Sequence, residues 1–338
     1  MSANLTLAVA SLSVCFALLV AIYEVAANVR YYRWRRSFDN NGAIGALTIR
    51  SPNPTLLWEY RPNAEVDGIA INRWGFRDVD YATTEKPRGV RRIAFVGDSV
   101  TLGMGVPPQA TFVSLVQTMA VASGHNVRTL NFGVDGYNAL QIRELLTAKA
   151  LAFDPDDVVY VLCLNDFDFS DSSGRKVAYF RRPWFFLPQD LARRYRKLRG
   201  REFHHDHFDR HRSDVLSAIG EMKEILDARA VGFLVVIVPV FPEPDAGAPG
   251  YFSHYPFRDI HRKIVASLEQ RDIAAHDLLG DFERLGPRPD VYALDIWHLT
   301  EEGHRVTAES LWRRLLPGDT EHPRNRTATS GASAAPSP

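Results

Sequence analysis

Cysteine is almost missing from this chain: Cys15 and Cys163 are the only two in 338 residues. Cys15 lies in an apolar run and Cys163 in a strand-like one, so no disulfide between them is expected. A disulfide scaffold and a cysteine-based zinc site are thereby excluded. An excess of charge of either sign is missing too, with Lys+Arg and Asp+Glu at 40 each. That balance, with no basic-aromatic module, argues against a nucleic-acid partner. There is no internal repeat. What remains is ordinary for a globular chain, at 46% hydrophobic and 24% charged residues. The length suits one large domain with appendages.

Charge is also missing locally. Leu5 to Tyr23 reads LTLAVASLSVCFALLVAIY, without one ionisable acid or base of the Asp, Glu, Lys or Arg type. Roughly 19 residues at about 1.5 Å each span about 28 Å, close to a bilayer core. Arg30, Arg33, Arg35 and Arg36 follow, interleaved with Tyr31, Tyr32 and Trp34, as an interfacial collar. A cleaved signal peptide is the competing reading, with Val25-Ala26-Ala27 as its cleavage site. Against it, Met1-Ser2-Ala3-Asn4 lacks the usual positive charge. The expectation is a retained, single-pass membrane anchor over residues 1–36. The positive-inside rule would put the arginine side in the cytoplasm.

Residues 37–90 are rich in Asn, Gly, Pro and Arg and read as an irregular lead-in, packed on the main domain by Trp58, Tyr60, Trp74 and Phe76. From Arg91 the pattern changes. RRIAFVGD, VRTLNFG (127–133), DVVYVLCLND (157–166) and GFLVVIVPV (232–240) are apolar runs that suit strands of a parallel sheet covered on both faces. Helical patterns occupy about 110–122, 138–151, 213–229, 256–271 and 301–316. The alternation predicts an α/β, doubly wound parallel sheet over 91–316, with ligands beyond the strand C-termini. Residues 167–212 interrupt the alternation as an insert, and the Thr, Ser, Ala and Pro-rich tail 317–338 is expected to be disordered.

Four places at strand ends or helix entries hold side chains suited to chemistry. Gly97-Asp98-Ser99 closes the first strand, where backbone N–H groups can face a developing oxyanion. Asn131-Phe132-Gly133-Val134-Asp135-Gly136 follows the second, with glycines that allow backbone to approach a ligand. Asn165-Asp166 follows the third, and an Asn amide there can donate into a cleft. Asp295-Ile296-Trp297-His298 precedes a helix, and a carboxylate three residues before a histidine can hold one ring nitrogen. Each alone reads equally well as a turn, a cap or a surface pair.

Together, in this order, the four resemble the blocks of the SGNH (GDSL-like) hydrolases. GDSV (97–100), NFGVDGYN (131–138), LND (164–166) and DIWH (295–298) with EEGH (301–304) carry the likeness, over roughly residues 91–315. The resemblance implies a flavodoxin-like sheet and ester or acyl chemistry without a cofactor or metal. It implies Ser99 as nucleophile, His298 as general base and Asp295 as its orienter. The oxyanion hole would be the N–H of Ser99, the N–H of Gly136 (in preference to Gly133) and the amide of Asn165. Cys163 stands where the third block has Gly. The lead-in segments PNPTLLWEYRPN and INRWGFR resemble bacterial membrane-associated members, some of which modify envelope polysaccharides. That favours an outward-facing domain, opposite to the arginine collar.

Other readings follow from smaller signals. His204, His205, His207 and His211 are expected to be a solvated, arginine-paired segment rather than a metal site. The aromatics around Trp184 could form a lid, a membrane-surface contact or core packing, and packing on the core is the reading preferred. Cys163 is expected to be an inert buried thiol. The function expected is hydrolysis of an ester, with O-acyl groups of a carbohydrate as candidates. Acyl transfer to an envelope polysaccharide is the alternative. A binding protein on the same fold is disfavoured, because a scaffold needs none of Ser99, Asn165, Asp295 and His298. The partners expected are a small-molecule or carbohydrate ester and, through the N-terminal helix, a membrane.

Overall fold

The four apolar runs pair as parallel strands: Arg91–Gly97 (β1), Val127–Gly133 (β2), Asp157–Leu162 (β3) and Gly232–Ile237 (β4). A fifth strand, Ala274–Asp277 (β5), adds to the edge beside β4. The order is β2-β1-β3-β4-β5, the flavodoxin-like arrangement with its switch point beside β1. Register sets the site: Gly97 pairs with both Gly133 and Val161, so the C-terminal ends of β1, β2 and β3 lie level. The computed structural model describes residues 3–41, 47–66, 68–169, 183–199, 201–242, 251–285 and 291–316. The tail 317–338 and Tyr179 and Phe180 of the insert lie outside them.

The helices are Ala3–Asn41 (α1), Ser99–Leu102 (α2), Phe112–Ala122 (α3), Ala139–Ala148 (α4), Phe186–Arg199 (α5), Arg201–Asp227 (α6), Arg258–Glu269 (α7), Leu279–Arg284 (α8) and Glu301–Leu315 (α9). Helices flank the sheet, α3 packing on α9 and α4 on α6. Local chemistry starts them. Asn138 accepts N–H bonds from Leu140 and Gln141 while Gln141 reaches back, a capping box worth about 1 kcal/mol. Thr300 caps α9 through the N–H of Gly303 at 3.1 Å.

Residues 47–81 form two short antiparallel pairs, Thr48–Arg50 with Trp58–Tyr60 and Glu65–Val66 with Ile69–Ala70. Trp58, Tyr60 and Phe76 are buried and Trp74 packs against the core. Phe76 meets Phe132 edge-on at 4.7 Å, Phe132 meets Phe153 at 5.3 Å, and Trp74 meets Phe153 at 5.5 Å. Such pairs contribute about 0.5–1.5 kcal/mol each beyond area burial. Two buried arginines peg this segment to the domain by donating to main-chain carbonyls. Arg92 reaches Thr84, Glu85 and Phe153, and Arg77 reaches Leu102, Gly103 and Val106.

Three expectations are corrected. Trp184 does not pack on the core: it is 94% exposed and Phe185 63%. The histidines do not sit in a solvated, arginine-paired segment. They belong to α6, which begins at Arg201 and absorbs the end of the expected insert. His207 is buried with Asp168 at 3.3 Å, His211 faces Asp214 and His205 meets Asp259 at 3.1 Å, so these three address separate carboxylates. Finally, α1 continues to Asn41, past the arginine collar. Within it, Leu7–Arg33 is long and apolar enough to cross a membrane, which makes it a candidate anchor or signal sequence.

Candidate active site

Ser99 opens α2, directly beyond the end of β1. Asp98 caps the helix: its Oδ1 accepts the Val100 N–H at 2.9 Å. Its Oδ2 accepts from Asn165 Nδ2 at 2.7 Å, and the Cys163 Sγ lies 3.8 Å from Oδ1. Burial pushes the Asp98 carboxyl up, opposed by the bonds from Asn165 and Val100. Burial, with Asp98 and Asp166 nearby, also pushes the Cys163 thiol well up, so it carries no thiolate reactivity. The Gly-to-Cys departure in the third block therefore leaves Asn165 held by Asp98.

His298 comes from a loop folded back on itself, with Leu294 N–H donating to His298 O at 2.7 Å and Thr300 N–H to Tyr292 O at 3.0 Å. The N–H of Phe241, beyond β4, donates to Ile296 O at 3.0 Å and moors the loop to the sheet. His298 Nε2 then stands 2.9 Å from Ser99 Oγ, and His298 Nδ1 2.7 Å from Asp295 Oδ2. Asp295 Oδ1 accepts the N–H groups of Trp297 and His298, both at 2.8 Å. Burial alone would raise the Asp295 carboxyl, but the hydrogen bonds from the His298 ring and these two N–H groups hold it below the usual range. Residues 199 positions apart thus share one hydrogen-bonded line.

The two glycines of the second block differ. A Cβ on Gly133 would sit 2.1 Å from Leu102 N, so this glycine lets α2 lie across the end of β2. Gly136 has φ +70°, the left-handed region that favours glycine. Its turn is tied on one side by Val134 N–H to Gly97 O at 3.1 Å, and on the other by Asp135 N–H to the Tyr60 hydroxyl at 3.0 Å. Among the described residues no group of three or more His, Cys, Asp or Glu could hold a metal.

Residues 95–306 match the model of the GDSL-like lipase/acylhydrolase family. The chain belongs to that family. As a GDSL-like acylhydrolase it is a serine hydrolase acting on ester bonds. It is similar in structure to TesA at 18% identity, over 67% of this chain and 99% of that one, with a TM-score of 0.44. It is similar also to a lipase/acylhydrolase from Enterococcus faecalis, at 16% identity, 67% and 95% coverage and TM-score 0.44. A third is the acetyl xylan esterase AlAXEase, at 15% identity, 66% and 99% coverage and TM-score 0.46. No curated protein matches the sequence significantly.

Two groups of this GDSL-like enzyme escaped the sequence. Arg77 donates to Leu102 O at 3.1 Å, Gly103 O at 2.5 Å and Val106 O at 2.7 Å, closing the end of α2. Asn131 donates from Nδ2 to Thr101 O at 2.9 Å and accepts the Gly133 N–H at 2.9 Å. Both stand inside segments singled out for resemblance, INRWGFR and NFGVDGYN, yet only the fold brings them to α2.

His304, of the EEGH segment, stacks on Phe112 and accepts its N–H at 3.1 Å. Burial first, then Arg77 and His298, push the ring down to about 3 from 6.5. The unfolded chain takes up this proton as pH falls through 6.5 and the folded protein only near 3, so the stability is full above that window and falls across it. His304→Asn keeps an acceptor for the Phe112 N–H without the titration. Urea midpoints followed from neutral pH downward should decline less steeply in this variant than in wild type. An unchanged slope would refute the assignment.

Proposed function

We propose that Ser99, His298 and Asp295 form the catalytic triad of an ester hydrolase. The observation that carries it is the continuous line from Ser99 Oγ through both ring nitrogens to Asp295, at 2.9 and 2.7 Å. An ionised Asp295 only accepts, so the ring proton sits on Nδ1 and Nε2 is left to take the Ser99 proton. Ser99 Oγ attacks the acyl carbon, the alcohol leaves with the proton from His298, and water repeats the cycle on the acyl-enzyme. Charge on the former carbonyl oxygen is taken by the N–H of Ser99, which opens a helix and has no acceptor within it, by the N–H of Gly136 and by Asn165. Asn165 spends one amide hydrogen on Asp98 and keeps the second for the oxyanion.

Hydrolysis is preferred to acyl transfer because His298 and Asp295 remain 18% and 46% exposed, which admits water to the base. O-acyl groups of a carbohydrate are the substrate class we assign. This rests on the likeness of PNPTLLWEYRPN and INRWGFR to members that modify envelope polysaccharides. We also assign α1 as a retained anchor. Glu24 accepts the N–H groups of Phe186 and Leu187 at 2.9 and 2.7 Å, and Ala27 and Tyr31 are buried. A signal peptide removed after export has no reason to complete the folded domain.

Ser99→Ala should lower turnover of short p-nitrophenyl esters by about 10⁴-fold or more with the fold intact. Asn165→Ala should lower kcat by about 10²–10³ with little change in KM. Activity of Ser99→Ala within a few-fold of wild type would end the assignment, and a loss confined to KM would make Asn165 a binding residue.

His298→Ala should be nearly as damaging as Ser99→Ala, and Asp295→Asn milder. The double variant should be no worse than His298→Ala, because the pair acts as one unit. Additive losses in kcat/KM would separate Asp295 from His298.

An envelope polysaccharide lies outside the cytoplasmic membrane, so this substrate requires an outward-facing domain, against the bias of Arg30, Arg33, Arg35 and Arg36. Protease added to sealed vesicles of known orientation should digest the domain from the outer face. Protection there would confine the enzyme to cytoplasmic esters.

A further inference from the structure

Beyond β4 the chain runs Val238-Pro239-Val240-Phe241-Pro242. Val238 still donates to the sheet, at Leu162 O. The two prolines have no N–H to give, so only Val240 and Phe241 can fix the rest of the segment by donation. The Phe241 N–H is the one that moors Ile296, two residues before His298. The Val240 N–H goes to the Tyr255 hydroxyl at 2.8 Å, and Val240 O accepts from the Tyr251 hydroxyl at 3.0 Å.

Behind Tyr255 stands a line of polar groups. Its hydroxyl is 3.0 Å from His261 Nε2 on α7, and His261 Nδ1 is 2.9 Å from Asp277 Oδ1 at the end of β5. Tyr255 is 4% exposed and His261 1%. Burial alone would raise the Asp277 carboxyl, but the bonds from His261 and from the Leu279 N–H, at 3.0 Å, hold it below the usual range. An ionised Asp277 only accepts, so the His261 proton sits on Nδ1 and Nε2 is left as an acceptor. The Tyr255 hydrogen is therefore directed at His261, and its oxygen stays turned to the Val240 N–H. Desolvating such a line costs free energy that rings like the neighbouring Phe241, Phe252 and Phe282 would not. In return it fixes one direction for each hydrogen bond.

From this we infer that Tyr255 and His261 are positioning residues for the proposed triad. With Asp277 they hold Val240, hence Phe241 and Ile296, and so set where His298 Nε2 stands relative to Ser99 Oγ. The inference rests on His298 being the base, and it gives a role to a buried histidine that the triad itself leaves unused.

The test uses the full chain and p-nitrophenyl acetate, with a fluorophosphonate as the probe of Ser99. In Tyr255→Phe, which removes one hydroxyl, kcat and the second-order labelling rate should fall together by about tenfold, with KM within about twofold of wild type. His261→Gln places an acceptor where Nε2 stands, whereas His261→Asn reaches Asp277 but not Tyr255. His261→Asn should therefore match Tyr255→Phe, and His261→Gln should recover most of the loss. Urea midpoints separate position from stability. A lowered midpoint with kcat and labelling unchanged would make the relay structural only and overturn the inference. Equal kcat in His261→Gln and His261→Asn would do so as well, even if Tyr255→Phe failed to fold. Ser99→Ala is the control for the reading beneath. If it keeps turnover and labelling, the triad and this inference fall together. If it is inactive while Tyr255→Phe turns over at the wild-type rate, this inference alone falls.

Discussion

A helix of four residues cannot hold itself. Ser99–Leu102 has too few internal hydrogen bonds to offset the cost of ordering its backbone, so its position is set by groups outside it. Asp98 closes its start, Arg77 gathers the carbonyls at its end, Asn131 holds Thr101 O, and Gly133 leaves room beneath it. They come from three stretches of chain: the helix entry itself, the lead-in and β2. Ser99, the proposed nucleophile, is therefore as well placed as the sheet and the lead-in make it. A reactive serine needs this, because small displacements from the attacking geometry are costly to rate.

The lead-in is for that reason a mechanical support of the proposed active site. Arg77 holds the helix that Ser99 opens, and the Tyr60 hydroxyl holds the turn that carries Gly136. The Tyr137 hydroxyl returns the contact by donating to Trp58 O. Residues 95–306, which match the family model, contain neither Arg77 nor Tyr60. The far side of the cleft is moored differently, since the His298 loop depends on Phe241 and on its own internal bonds.

Strands β1, β2, β3 and β4 were legible in the sequence as apolar-rich runs, because they are buried along most of their length even though β2, like β5, stands at an edge of the sheet. The edge strand β5 reads AAHD and is only partly buried, so it carried no such run. The four blocks were legible as motifs, but that His298 reaches Ser99 is a fact of chain topology that no local pattern contains. The hold of Arg77 on α2 was hidden for the same reason, being a contact between segments 25 or more residues apart. At Trp184 the rule that large aromatics seek cover within the protein did not hold, since among the described residues this side chain stays almost fully exposed. The histidines of α6 were misplaced because polar composition outweighed helical spacing: His207 and His211 are four residues apart, and one is buried while the other stays near the surface.

Only residues 42–46 separate α1 from the first strand at Thr48, apart from Leu47 itself. At full extension the chain from Asn41 to Leu47 spans no more than about 20 Å. Were α1 retained in a bilayer as proposed, with Glu24 bonded to α5, the enzyme would have almost no tether on which to swing out. Its working volume would then be a thin layer next to the lipid, and long polymers would be served only at the segments that touch the membrane surface.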